Sequence, residues 1–351
     1  MAHHAAQPYG PTGGAWPVFE PERSDWLAPF FAVNAAFFMG LFFMISGYFL
    51  PGALDRKGPG RVLRERLLRL GVPLALVGLG IFALIGYGDA GPERSFLDYY
   101  LTSYLGEWRV EFAHLWFVFH LLAYSAAVIL LSAFWPGLAT TEGRSPAPGH
   151  GTILIALVGL IAVTILVRQA YPIDRWVRLF WVMPAEPAHL PQYLLLFAAG
   201  VVAGRNRWFE RLPARLGLTW LGIGLAFALG AYAAIYSATF GGFDLFSSLP
   251  FGRVTAWAIW EAPIALGLSI GLVVAVRELA AGPGRLLPVL AGASYGVYVI
   301  HVFLLVPIQS ALLGVGLPPF AKFALVTLAG IILSFAVAVG LKRLPGLRRV
   351  L

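Results

Sequence analysis

The sequence predicts an all-α, polytopic integral membrane protein, on three observations. Hydrophobic residues make up 59% of the chain and charged residues only 12%, with a mean hydropathy of +0.78. Water-facing domains are nearer half apolar and a quarter charged. The apolar residues gather in blocks close to the ~20 residues that a bilayer-crossing helix needs. The basic residues stand at the ends of those blocks, as membrane topology requires. The blocks do not alternate with period two, so a barrel is not indicated, and helices are the other way to satisfy backbone in lipid.

Nine spans follow in order, at 26–50, 67–88, 114–135, 151–168, 191–204, 216–238, 254–276, 291–311 and 321–341. Residues 1–25 are polar and rich in Pro and Gly, and read as an outer loop. The first span is a Phe- and Met-rich run that stops at Ser46-Gly47 and Pro51. The second opens behind four arginines, Arg61, Arg64, Arg66 and Arg69. The third begins on the aromatic segment His114-Leu115-Trp116-Phe117. The fourth carries no charge until Arg168, and the fifth is short. The sixth is a plain apolar block, and the seventh contains Glu261. His301 lies near the middle of the eighth, and the ninth ends at Lys342-Arg343. The whole chain, 1–351, reads as one transmembrane domain, with the bundle over 26–341 and a tail over 342–351.

Alternate loops separate the charges. The set holding 51–66, 136–150, 205–215, 277–290 and the tail contains seventeen of the 25 Lys and Arg residues, Arg144 and Arg285 among them. The other set contains eight, and one of its loops carries Asp89, Glu93, Asp98, Glu107 and Glu111. The richer set is expected in the cytoplasm, which places the C-terminus there and the protein in the inner or plasma membrane. An odd number of spans would leave residues 1–25 outside with nothing to carry them across. The opening Met1 to Pro11 therefore reads as the outer end of a tenth, truncated first helix; a free polar N-terminus is the alternative. With no cysteine in the chain, disulfides, thiolate metal sites and a catalytic thiol are excluded. The net charge of +8 sits at span ends, so it speaks of membrane topology and not of nucleic acid. No histidine pair has metal-ligand spacing, and no tightly bound cofactor is expected.

Arg66 and Arg69 are three apart and share a helix face, and Arg61 and Arg64 repeat the spacing. Such arginines either grip the phosphates of an anionic ligand or only fix topology, with Glu65 pairing Arg69. His3, His4, His114, His120 and His301 are ionisable groups in apolar surroundings. Within a membrane these are functional candidates. A neutral imidazole accepts a proton near neutral pH. A histidine bonded only within the bundle is the structural alternative. Glu261 either orients a histidine or stabilises packing, and Ser46 reads as a helix-end residue.

The ordered motifs resemble the acyltransferase family 3 of integral membrane enzymes, which includes O-antigen and glucan acyl- and succinyl-transferases. His3-His4 resembles the end of the family's first helix, and Phe42 to Phe49 its FF-x-x-SGF signature. Arg66-Leu67-Leu68-Arg69 with Pro73 resembles its RxxR…P element. Ala293 to His301 is similar to its SYxxYxxH segment, and His114 to Phe117 to its HLWF. The resemblance implies transfer of an acetyl- or succinyl-like group from cytoplasmic acyl-CoA, a co-substrate, to a hydroxyl of a carbohydrate or lipid-linked acceptor. It assigns His4 as base or acyl relay, with His3 as rival; Glu261, from its own place inside a span, is a further catalytic candidate. It gives donor binding to Arg66 and Arg69; Arg64 and Ser46 beside them are further donor-binding candidates, and His114, Trp116, Tyr295, Tyr298 and His301 are cavity candidates. The family's basic residue about ten positions before the histidine has no counterpart here. A transporter without chemistry, or an inactive truncated copy, is the other reading.

Overall fold

Helix α2 (Ala28–Lys57) is the spine of the bundle, and most of the remaining helices are placed by what packs against it. The computed structural model describes residues 1–351 except 12–15, 91–93, 142–144, 240–251, 280–283, 285 and 351, with backbone alone at 90, 231–239, 253 and 286. Glu93, Arg144 and Arg285 lie outside the described residues. Ahead of α2 stands a short helix, α1 (Ala2–Ala6). After it come α3 (Pro59–Asp89), α4 (Trp116–Phe134), α5 (His150–Ala170) and α6 (Leu190–Asn206). The chain then continues through α7 (Ala214–Thr239), α8 (Gly252–Leu279), α9 (Leu286–Ala311) and α10 (Pro319–Leu341).

The all-α expectation holds. Among the described residues, eight helices are long and apolar enough to cross a membrane; the apolar helix described at Ala214–Gly230 is shorter. Two boundaries differ from the expectation. Ser46-Gly47 and Pro51 do not end the first long helix, which runs through Pro51 to Lys57. Ser46 is thus a mid-helix residue. Proline removes one backbone donor but leaves the helix standing where neighbours pack around it, as α6 does here. The turn between α2 and α3 is a single residue, Gly58, whose φ of +76° favours glycine. The four arginines therefore belong to α3 itself. The short fifth span is likewise longer than its apolar core: Pro187 starts a turn that runs into α6, giving Pro187–Asn206.

Small residues set how near the helices come. Gly200 and Gly204 of α6 lie against the backbone carbonyls of Met44 and Tyr48 on α2, and Gly47 lies against Val201 and Gly200 in return. A Cβ at Gly200 would strike main chain, which cannot rotate away. Gly200→Ala should therefore push α2 from α6 and cost about 1–3 kcal/mol. Thermal unfolding in lipid nanodiscs checks this, and an unchanged midpoint would show that the close approach carries no weight. Gly224 of α7 and Gly267 of α8 make a second close approach.

Helix α3 is not regular. Wide, π-helical turns occupy Leu67–Gly71 and Ala75–Ile81, on either side of Pro73. Proline at position 73 cannot donate its hydrogen bond, so the ladder widens around it. The widening includes Arg69.

Between α5 and α6 the chain makes a two-stranded antiparallel hairpin, β1 (Val177–Leu179) with β2 (Met183–Ala185), that the sequence pattern did not announce. Its tip, Phe180-Trp181, has positive φ at both residues and carries none of the glycine or asparagine that signals such a turn. The polar N-terminal stretch also folds onto the bundle. Lys322 of α10 and Glu20 form a buried ion pair at 2.7 Å.

Candidate functional site

A cavity of about 760 Å³ lies where α1, α2, α9 and α10 meet the segment between α5 and α6. His3, His4, His114, Trp116, Tyr298, His301 and Glu261 all line it. Sequence spacing could not join these residues, which come from α1, α4 and the turn Ala113–Leu115 that leads into it, α8 and α9.

The arrangement begins with α1, five residues whose C-terminal carbonyls have spare acceptor capacity, His4 O taking only the Gln7 N–H within the turn. Gln309 of α9 uses that capacity: its Nε2 donates to His4 O at 2.9 Å and to Ala5 O at 3.2 Å. Trp16 Nε1 in turn donates to Gln309 Oε1 at 2.8 Å. Ala5 and Ala6 are fully buried, so the short helix is clamped along one face. This fixes His4. Its ring lies parallel to that of His301, with Nδ1 of His4 2.8 Å from Nε2 of His301.

The tautomers follow from the partners. His301 Nδ1 is 2.6 Å from the carbonyl oxygen of Tyr298, which can only accept, so Nδ1 carries the proton. His301 Nε2 then holds a lone pair, and His4 Nδ1 donates to it. His4 is left with its own lone pair on Nε2. His3 makes no such bond; its ring packs on Phe31 and Phe38. Of the two N-terminal imidazoles, only His4 is tied to a second histidine among the described residues.

Helix α9 carries the arrangement inward. Tyr295, Tyr298 and His301 are spaced by three and share one face, spanning about 9 Å along the axis. Tyr298 donates its hydroxyl to the backbone oxygen of His114. Tyr295 donates to the backbone oxygen of Arg69 at 2.5 Å, which ties α9 to the widened turn of α3. Arg66, half-buried, points its Nη1 at Ser46 Oγ, 3.5 Å away. Ser46 is one turn from Phe42, which lines the cavity. Neither Arg66 nor Arg69 lines it, and Arg64 and Arg69 are exposed. Glu65 pairs with Lys57 at 2.5 Å and with Arg61 at 3.3 Å, not with Arg69 as its spacing suggested. Arg66 and Arg69 are thereby left without that carboxylate.

Across the cavity from His4 stands a group that the sequence reading did not assemble. Glu261 of α8 takes Arg168 Nη2 of α5 at 2.6 Å and His189 Nδ1 at 3.1 Å, and all three are buried. Of the two roles considered for Glu261, it orients a histidine, but the histidine is His189. In the sequence Arg168 closes the fourth span, and His189 lies outside every span. The one sequence signal was Arg168 continuing an otherwise uncharged block, a placement lipid does not tolerate without a partner. His120 faces elsewhere, bonded to Tyr124 and to the Pro184 oxygen. Trp116 stacks on Tyr193 and meets Trp176 edge to face, forming the aromatic side of the cavity.

A bundle of apolar helices closed around a buried, partly polar cavity defines a multi-pass membrane protein. The family model described as an acyltransferase domain matches residues 1–341. The chain belongs to that family, the acyltransferase family 3, and is an acyltransferase of the membrane. It is also similar to "Glucans biosynthesis protein C" of Salmonella gallinarum, at 30% identity over 179 residues. That match covers 49% of this chain and 44% of the relative, so less than half of the curated protein's length is represented. No solved structure matches the chain.

Proposed function

We propose that the protein moves an acetyl- or succinyl-like group from cytoplasmic acyl-CoA to a hydroxyl of a carbohydrate or lipid-linked acceptor. The observation that carries this reading is the relay from Tyr298 O through His301 to His4, which leaves a basic nitrogen at a cavity wall. His4 Nε2 takes the proton from the acceptor hydroxyl. The hydroxyl oxygen attacks the thioester carbonyl, the carbon–sulfur bond breaks, and the thiolate leaves. The imidazolium returns the proton to the thiolate, giving an ester and free thiol. His301 stabilises the charge that His4 holds in between, through the 2.8 Å bond they share.

The donor enters from the arginine end in this reading, which sets residues 51–66 and the tail at the cytoplasmic face of the inner or plasma membrane. Arg66 and Arg69 meet its phosphates, with Ser46 and Tyr295 fixing the arginines' positions and Arg64 at the rim. The single domain would thus span both aqueous faces. The printed name of the Salmonella relative concerns glucan biosynthesis, which favours a carbohydrate acceptor.

Membranes containing the protein should convert radiolabelled acyl-CoA into labelled glycan or lipid, and absence of any labelled product would overturn the assignment. Arg66→Ala should raise KM for the donor about tenfold to a hundredfold with kcat nearly kept, since a charge-assisted bond contributes about 1.5–3 kcal/mol. Arg66→Lys should recover part of the loss, because charge remains while the fork is lost. Initial rates against donor concentration check both. A fall in kcat alone would place Arg66 in structure and not in donor binding.

A further inference from the structure

The cavity contains more hydrogen-bond acceptors than the protein satisfies. His114 Nε2 is 3.0 Å from the Val299 oxygen and so carries that ring's proton. Its Nδ1 is then a lone pair, buried with no partner. Gln7, only 8% exposed, has its Oε1 buried without a partner, and His3 Nδ1 is in the same condition. All three residues line the cavity: His3 adjoins His4, Gln7 lies three residues beyond it, and the His114 ring packs on that of His301. Buried polar atoms are nearly always paired, so three orphans on one cavity point to a polar occupant.

The sign of the surroundings narrows that occupant. Among the described residues, Asp174, Glu186 and Glu261 line the cavity, and no Lys or Arg does. Glu261 is neutralised by Arg168 and His189. Glu186 accepts the backbone N–H of Asp174 at 2.7 Å and shares His189 with Glu261, its Oε1 lying 3.5 Å from His189 Nε2. Asp174 is exposed and has no ion-pair partner among the described residues. It is held there by a left-handed backbone at φ +67°. An acceptor-rich wall rewards a ligand that donates O–H bonds and repels one that brings negative charge.

We infer that this wall is a charge filter on the acceptor: Gln7 and His114 receive hydroxyls, while Asp174 and Glu186 exclude acceptors that carry a carboxylate or phosphate near the reacting hydroxyl. The inference rests on the acyltransferase reading of the same cavity and names the acceptor as an uncharged polyol. Trp176, beside Asp174, supplies the flat apolar face that a sugar ring needs.

The test uses the full chain in lipid nanodiscs, without donor. Binding of a neutral gluco-oligosaccharide is read from tryptophan fluorescence, against the uronic-acid oligosaccharide of equal length. The neutral sugar should bind at least tenfold more tightly. Asp174→Asn with Glu186→Gln should shrink that ratio to near one. Gln7→Leu should weaken the neutral sugar about tenfold. If Gln7→Leu lowers the thermal midpoint, the exposed Asp174→Asn variant alone decides the outcome. Equal binding of both sugars, binding of neither, or a ratio untouched by the carboxylate changes would overturn the inference. Because no donor is present, loss of labelled product in the transfer assay and loss of sugar discrimination here are separate failures.

Discussion

Replacing His4 with alanine should lower acyl transfer by about 10²–10⁴-fold, the usual contribution of a positioned base. His3→Ala should keep the chemistry, since His3 has no bond to His301. The relay makes a sharper prediction. His301→Gln retains an oxygen that can accept from His4 Nδ1, and His301→Leu does not. The glutamine variant should therefore outperform the leucine variant by about tenfold or more, with the leucine variant falling nearly as far as His4→Ala. Both changes leave the cavity wall in place, so thermal midpoints should move little. Single-turnover rates at saturating donor check the series. If His3→Ala is the inactive variant and His4→Ala is active, the tautomer argument fails.

Removing either partner of the Arg168–Glu261 pair should unfold the bundle more readily than any single apolar truncation at its surface. The pair is buried, at 2.6 Å, with His189 on the second carboxylate oxygen. Deleting one partner strands a charge in apolar surroundings, which costs about 3–5 kcal/mol. Arg168→Ala and Glu261→Ala should each show it as a large drop in thermal midpoint. The double variant Arg168→Met with Glu261→Leu should recover most of the loss, because no charge is left stranded. Unchanged midpoints in the single variants would mean that water reaches the pair.

The bundle was legible because lipid imposes a coarse rule that each apolar block must become a helix, and among the described residues eight of the helices are long and apolar enough to cross a membrane. Helix ends were less legible. Pro51 and the arginines of α3 look like loop in composition, yet continuous packing against α4 and α6 keeps them helical. The hairpin at 177–185 escaped because its tip lacks turn residues. Of the site, His4, His114, Tyr298 and His301 were named from motifs, but their convergence was not readable from spacing, since the contacts join positions hundreds of residues apart. Gln309, His189 and Gln7 were missed because one polar residue in an apolar block carries no periodic signal. Only the fold shows what each one faces.

Tyr295, Tyr298 and His301 make α9 a measuring stick. One end is pinned to the arginine turn through the Arg69 oxygen, the other to the N-terminal imidazole. Each added residue in a helix rotates everything beyond it by about 100° and moves it by about 1.5 Å. One alanine inserted after Val299 would swing His301 away from His4 while Tyr295 stayed docked. The sequence would lose none of its chemical groups. The distance from the arginine turn to the imidazole pair is thus stored as an integer, a count of residues that tolerates substitution far better than insertion.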